Sequence, residues 1–382
     1  MLDALLLVED PSASVALEQM AVESKQVQVL RSCSRLPSRY ELLRMLNSLG
    51  PDLVFLELND AAVATPLLDI LLSEHPNIAV VGVADSALPF SPRAVLQIGI
   101  AALLSTPVTL RDFQQAVATA VQRTNQEQIP HLFCFLPAKA GCGASTAAVN
   151  ISKHAADILS LRTLLIEADL HSGVAGEYLR IQPVIPIREV LAEAPQLNST
   201  RWRAVTVSAG RLDALLTDRS RKAPIPSWID YFHLLRFVRT RYELIVVDLP
   251  EIVNEATAEL VRRAAQVYVV TTPEVAPLKL AEQRIQELAC RGVRDAQIEI
   301  VVNRWHRSDL DPDEIHKLLR CRVAAVLQNN YPVVRRCQAR GGAIPESNKL
   351  GAAILDFTRK LSGREPPETE RPGLLRHLLL GR

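Results

Sequence analysis

The sequence predicts an α/β protein made of two consecutive doubly wound domains, each built on a parallel sheet. Three observations lead there. Short β-prone apolar runs alternate with amphipathic stretches along most of the chain. The runs of the second half are apolar almost throughout, as strands buried on both faces must be. One of them, "HLFCFLP", empties into a loop of small residues, "AKAGCGAS", that leads straight into a helical pattern. At 382 residues the chain exceeds one ordinary core, which agrees with two domains.

Residues 1–121 carry the first alternation. Its strand candidates are "ALLLVED" (Ala4–Asp10), "PDLVFLEL" (Pro51–Leu58), "IAVVGVA" (Ile78–Ala84) and "AALLS" (Ala101–Ser105). Amphipathic stretches such as Tyr40–Leu49 and Leu110–Val121 read as the helices between and after them. The polar segment 122–130, "QRTNQEQIP", reads as a linker. The second alternation occupies 131–362. Its strands are expected at His131–Pro137, Thr163–Asp169, Arg211–Thr217, Glu243–Pro250, Gln266–Pro273 and Ile298–Arg304, with a last helix ending near Leu361. Residues 363–382 read as a flexible connector and a short tail.

Composition narrows the function classes. Apolar residues make up 48% of the chain and charged residues 22%, as in a soluble globular protein. A formal net charge of +1 gives no global signal for nucleic acid. The six cysteines are scattered without metal-ligand spacing, which reads as reduced thiols in a cytosolic protein. No signal peptide and no membrane-spanning run is visible.

The chemistry concentrates in "KAGCGAST", Lys139 to Thr146. Gly141 and Gly143 can turn successive N–H groups inward as an anion nest, and the helix starting near Ser145 adds the positive end of its dipole. Ser145 falls where a hydroxyl would ligate Mg²⁺ beside phosphates. The general pattern G-x-x-x-x-G-K-[ST] calls for a lysine where this chain has Ala144. On the loop alone, a nucleotide site and a bare strand-to-helix turn are equally compatible. Asp169 and Asp248, each expected to end a strand, change the balance. Each alone reads as a cap or loop residue, but together they converge on the edge where open α/β sheets bind ligands. Asp248 would hold a Mg²⁺-bound water there, and Asp169 would position an attacking water.

Residues 131–361 resemble the MinD/ParA class of P-loop ATPases. That class carries a deviant loop, K-G-G-x-G-K-[ST]. The resemblance puts Lys139 on its signature lysine and Ser145 on its magnesium-binding hydroxyl. "LLIEADLHSG" is similar to the class's "LLIDADPQG", with Asp169 as the catalytic aspartate, and "YELIVVDLP" to its "YDYVIVDTP", with Asp248 as the Walker B acid. "IVVNR" puts Asn303 where an adenine-reading asparagine is expected. The implied ligands are ATP and Mg²⁺, bound by Lys139, Ala140, Gly141, Cys142, Gly143, Ala144, Ser145, Thr146 and Asn303. In this class the signature lysine reaches into the partner's nucleotide, so the resemblance implies an ATP-sandwiched homodimer. The departures are Ala140 for a glycine and Ala144 for the phosphate-holding lysine.

The first domain resembles a CheY-like response-regulator receiver. Glu9 and Asp10 match that fold's acidic pair, although both read equally well as loop caps. Glu57 stands at the phosphoacceptor position, Val83 at the hydroxyl position, and Thr106 where a lysine is expected. A carboxylate one methylene longer does not occupy the same in-line position, and loss of the lysine removes the phosphoryl counter-charge. The resemblance therefore implies a pseudo-receiver, with the fold kept for docking or dimerisation and phosphotransfer lost.

A receiver-like domain ahead of a MinD/ParA-type ATPase is the layout of the CpaE/TadZ proteins. The resemblance implies a localisation and assembly factor of a Flp/Tad-type (type IVc) pilus or secretion apparatus. Such a protein is cytoplasmic or peripheral at a membrane or cell pole, meets its assembly partners through the pseudo-receiver, and hydrolyses ATP slowly or not at all. A DNA-partition ATPase is the competing function. Arginine clusters occur at Arg219–Lys222 and Val261–Arg263, but the near-neutral chain disfavours nucleic acid as a partner. An iron–sulfur reductase is disfavoured by the cysteine spacing, and a tyrosine autokinase by a tail without tyrosines. In the tail, Leu374, Leu375, Leu378 and Leu379 share one helical face. A peripheral membrane anchor and a helix packed on the body are equally open readings.

Overall fold

The computed structural model describes residues 1–75, 78–85, 99–124, 128–219 and 226–364. The chain divides into two units, Met1–Glu127 and Gln128–Arg382.

Five strands form the sheet of the first unit: β1 (Leu2–Leu7), β2 (Val27–Cys33), β3 (Leu53–Glu57), β4 (Ala79–Asp85) and β5 (Ala102–Thr106). All neighbours pair in parallel, in the order β2-β1-β3-β4-β5. This is the flavodoxin-like doubly wound order, and it reverses between β1 and β3. Every residue of β3 is buried, and Phe55 stacks on Phe113 of the helix Leu110–Thr124 at 5.4 Å. Helix starts are set by local chemistry. Asp10 caps Pro11–Ser24, and Ser38 with Glu41 closes a capping box on Arg39–Leu49.

β2 escapes sequence reasoning. "VQVLRSC" is an edge strand whose polar and charged residues face outward, so it lacks the apolar run that marks its neighbours. The run Ala4–Asp10 stops being strand at Leu7, because Asp10 is drawn off to cap a helix. The linker expected at 122–130 is shorter. Its first residues continue the helix to Thr124 and its last begin a strand at Ile129, while 125–127 lie outside the described residues.

The crevice between β1 and β3 holds the acidic group. One Glu57 oxygen accepts the backbone N–H groups of Glu9 (2.6 Å) and Asp10 (3.1 Å), and the other accepts the Asn59 amide (2.7 Å). Glu9 accepts the N–H of Leu36 at 2.8 Å. The Asp10 carboxylate takes both the N–H (2.8 Å) and the hydroxyl (2.7 Å) of Ser12, and these bonds lower its pKa. Val83 pairs with Glu57 across β3 and β4, and Thr106 ends β5 opposite Asp85.

Among the described residues the second unit has eight strands: β6 (Ile129–Pro137), β7 (Thr163–Glu167), β8 (Val207–Ala209), β9 (Leu212–Leu215), β10 (Leu244–Asp248), β11 (Ala264–Thr271), β12 (Ile298–Trp305) and β13 (Val323–Gln328). Their order is β13-β12-β11-β6-β10-β7-β9-β8, parallel except for the hairpin partner β8. β7 and β10 are buried at every position, as apolar runs covered on both faces require. The helix Lys349–Leu361 packs on one face, where Phe357 meets Tyr268 edge-on at 5.0 Å and Phe135 at 6.5 Å. β8 and β13 are not foreseen. β8 has three residues, and β13 follows a cysteine–arginine pair with an alanine-rich, half-buried sequence at the sheet edge. Most of the Arg219–Lys222 cluster and all of the tail from 365 onward lie outside the described residues.

Candidate nucleotide site

β6 lies between β11 and β10 and delivers the loop Ala138–Gly143 to the carboxyl edge of the sheet. The loop closes through a hydrogen bond from Cys142 N–H to the Lys139 carbonyl at 3.1 Å. Gly141 and Gly143 have φ of +87° and +98°, the left-handed region that excludes most side chains. At Gly143 space is also decisive, since an added Cβ would lie 2.2 Å from the Asn303 amide nitrogen. The helix Ala144–Asp157 starts with Gly143 as its N-cap and no side chain capping it. Its first N–H groups are therefore left for an incoming acceptor.

Three side chains brace the loop from outside. Asn303 donates to the Cys142 carbonyl (2.8 Å), and Arg304 donates to the Gly141 carbonyl (2.7 Å). Arg304 does so from a left-handed backbone, φ +57°. Glu251 accepts the Ala140 N–H at 2.9 Å and lies 3.6 Å from the buried Arg284. Sequence reasoning missed Arg304 and Glu251. Arg304 was legible as the residue after Asn303, whereas Glu251 follows Asp248 by three positions without any loop-contact pattern. Asn303 reaches the loop, so one of its amide hydrogens is engaged with Cys142 in this structure.

The electrostatics centre on Asp248, the last residue of β10 and only 1% exposed. Burial pushes its pKa up to about 8, against an opposing pull from the Ser145 hydroxyl, with Glu167 and Asp169 raising it further. Ser145 faces it, yet neither Asp248 oxygen receives a hydrogen bond of good geometry. A buried carboxylate without partners is costly, and a divalent cation relieves that cost. A hydroxyl and a carboxylate are hard oxygen donors of the kind Mg²⁺ takes, so Ser145 and Asp248 fit it.

The expectation that Asp169 ends its strand is corrected. β7 stops at Glu167, and Asp169 lies two residues on, where one oxygen closes a turn by accepting the N–H groups of His171 (3.2 Å) and Ser172 (2.9 Å). The strand ends early because Glu167 turns inward to accept the N–H groups of Ala175 (2.6 Å) and Thr217 (2.9 Å). Burial raises the Glu167 pKa to about 7 despite those bonds. Ala140, Gly141, Gly143, Ala144, Ser145, Thr146, Asp169 and Asn303 all border one cavity of about 790 Å³. Cys142 is buried and does not border that cavity, and Lys139 is exposed and does not border it either.

A central strand that feeds a glycine loop and an uncapped helix, beside an aspartate ending the next strand, defines a P-loop fold. Solved structures of that fold agree. The chain is similar to a ParA family ATPase from Chlorobium tepidum TLS, with 18% identity and a TM-score of 0.56 over 61% of this chain and 98% of that one. It is also similar to a chain of the MinC:MinD cell division protein complex of Aquifex aeolicus, with 22% identity and a TM-score of 0.53 over 62% of this chain and 97% of that one. The fold over about 60% of the chain is thus that of MinD/ParA-family P-loop ATPases. No family model matches the sequence, and no curated protein matches it.

Proposed function

We propose that this protein binds ATP with Mg²⁺ in the cavity of the second unit, dimerises around it, and hydrolyses it slowly or not at all. The observation that carries this reading is the buried, unpartnered Asp248 facing Ser145 beneath an uncapped helix start. The loop N–H groups bind the β- and γ-phosphates, and Ser145 with Asp248 holds the metal. Mg²⁺, when bound, stabilises charge on the phosphate oxygens. Asp169 keeps one carboxylate oxygen outside its turn and orients the attacking water. Lys139 is exposed and reaches the nucleotide of a second copy, which makes the dimer part of the site. Ala144 removes one charge-assisted contact, worth roughly 1.5–3 kcal/mol, so affinity falls without vanishing. Turnover falls further, since that cation would meet charge developing in the transition state.

The same reading extends to biology. A five-stranded doubly wound unit whose Glu57 is tied to its own backbone precedes the P-loop unit, which supports the pseudo-receiver and the CpaE/TadZ-type layout. The protein then acts as a nucleotide-dependent localisation factor of a Flp/Tad-type pilus or secretion apparatus and meets its partners through the first unit. A second reading is a positioning ATPase that acts on DNA or another polar structure. The ParA family ATPase among the similar structures favours it. No helix among the described residues is long and apolar enough to cross a membrane. The tail is the segment proposed for peripheral membrane contact, which co-sedimentation with liposomes tests by removal of residues 373–382.

Calorimetry, sedimentation velocity and phosphate release on wild type, Lys139→Ala and Ala144→Lys test the site. Wild type is expected to bind ATP and dimerise with it, while Lys139→Ala binds but stays monomeric. Absence of binding at millimolar ATP sinks the proposal. Salt-dependent retention on duplex DNA, with no loss of pili when the gene is deleted, selects the second reading.

A further inference from the structure

The parallel strands of the second unit begin at the edge opposite the nucleotide loop, and four arginines gather there. Arg162 directly precedes β7, Arg211 directly precedes β9, and Arg241 lies just before β10. Arg203 comes from the helix Ser199–Val205. Together they line a cleft of about 690 Å³ whose other walls include Asp213, Trp202 and Tyr242.

The charges in this cleft do not cancel. Asp213 is its one lining carboxylate among the described residues, and both its oxygens are occupied. Ser208 donates to one at 2.6 Å and the Tyr242 hydroxyl to the other at 2.7 Å, while Trp202 donates its indole N–H to Tyr242 at 2.6 Å. Neighbouring Glu243 is shared between Arg162 (3.5 Å) and Arg364 (3.3 Å). The remaining arginines rest on neutral groups. Arg211 donates to the Ser160 carbonyl at 3.0 Å. Arg241 donates to the Phe237 carbonyl at 2.8 Å and stacks 3.6 Å over the Phe237 ring. Arg203 forms no ion pair among the described residues.

Arg203, Arg211 and Arg241 repel one another without ion-pair partners among the described residues, and an anion seated among them relieves the repulsion. Each guanidinium keeps further N–H donors in a planar fork that matches phosphate oxygens. Arg211 and Arg241 are already held in place, so less freedom is lost on binding. The arginines converge from separate elements on one cleft and do not run as a stripe. That arrangement suits a compact, multiply charged group better than an extended acidic or nucleic acid chain.

We propose that this cleft is a second anion site, at the sheet edge opposite the nucleotide loop, which takes a phosphate-bearing ligand through Arg203, Arg211 and Arg241. The phosphate belongs either to a soluble organic phosphate or to a phospholipid headgroup. Pyrophosphate is the probe, and because it also enters nucleotide loops the readout must be local. The Trp202 indole N–H, observed by ¹⁵N NMR in the full chain, supplies one. A saturable shift of that resonance is expected in wild type and unchanged in Asp248→Ala. Arg203→Ala/Arg241→Ala should raise half-saturation about tenfold or more. Arg203→Ala breaks no internal ion pair and carries the test alone if the double variant fails to fold. Phosphatidylcholine vesicles with and without a phosphatidylinositol phosphate distinguish the sources: selective sedimentation with the former assigns the headgroup, and none assigns the soluble phosphate. The proposal is overturned if Trp202 does not respond to millimolar pyrophosphate, or if the arginine variants leave half-saturation unchanged. It is overturned equally if polyglutamate or duplex DNA shifts Trp202 where pyrophosphate does not.

Discussion

In the first unit Glu57 is satisfied by its own chain: it accepts three hydrogen bonds, while beside it Glu9 accepts one from Leu36 and Asp10 caps a helix. In the second, Asp248 lies at the equivalent kind of position, the carboxyl end of an inner strand, with both oxygens unsatisfied. The two units thus give opposite answers to one question, namely where a buried carboxylate finds its partners. A carboxylate that is saturated by its own chain has become part of the scaffold. One left without partners in a dry site is arranged for something that arrives later.

The largest effect that would break this contrast is expected at Asp248. Asp248→Ala should lower Mg²⁺-dependent ATP affinity by about two orders of magnitude, since it removes a charged metal ligand. It should also raise the melting temperature of the ligand-free protein at pH 8, where the wild-type carboxylate is half ionised in a buried site. Calorimetry and thermal scans check both halves. A variant that binds like wild type and melts lower would put Asp248 with the scaffold carboxylates.

Ala144→Lys comes next. It should restore about a tenfold to hundredfold of ATP affinity and increase phosphate release, as measured by calorimetry and a coupled assay. Glu57→Ala is expected to behave differently. It strands the N–H groups of Glu9 and Asp10 and should destabilise the first unit by about 1–3 kcal/mol without touching nucleotide affinity. Denaturant unfolding of the full chain measures that loss. Acetyl phosphate should label neither wild type nor Glu57→Asp in residues 1–121, and a phospho-adduct found there by mass spectrometry would break the comparison from the other side.

The contrast can also be sharpened through a pH dependence. Asp248 rises from an ordinary 3.8 to about 8, and Glu167 from 4.5 to about 7. Between those limits the folded chain holds more protons than the unfolded one, so ligand-free stability falls as pH rises through the window and levels off above it. Asp248→Asn should flatten most of the slope. ATP with Mg²⁺ should flatten it too, because a bound cation favours the ionised carboxylate.

The sequence made the nucleotide loop legible because glycine spacing and strand-end aspartates are backbone requirements, visible wherever the chemistry is. It made the buried strands legible for the same reason, since β7 and β10 admit almost nothing but apolar residues. Edge elements were the losses. β2 carries polar residues like any loop, β8 is only three residues long, and β13 is an alanine-rich, half-buried edge strand without a strong apolar run. The position of Asp169 was misread by two residues because Glu167 looks like one more polar residue until its two backbone partners, Ala175 and Thr217, are seen. The braces at Glu251 and Arg304 come from other strand ends; Arg304 directly follows Asn303 in sequence, whereas no local pattern announces Glu251.

One feature of the loop also governs motion. The helix Ala144–Asp157 begins at a glycine that offers no side-chain cap, so the N–H groups ahead of Ala147 have no side-chain acceptor at the N-cap. A terminal phosphate is then the missing cap, supplied from solution. Without it the first turn is the weakest part of a helix otherwise packed in the core, and its amides should exchange with solvent sooner than those of later turns. With nucleotide present, protection should appear there first and spread along the helix. Occupancy of the site would then be recorded as order in the chain well before any phosphate is cleaved.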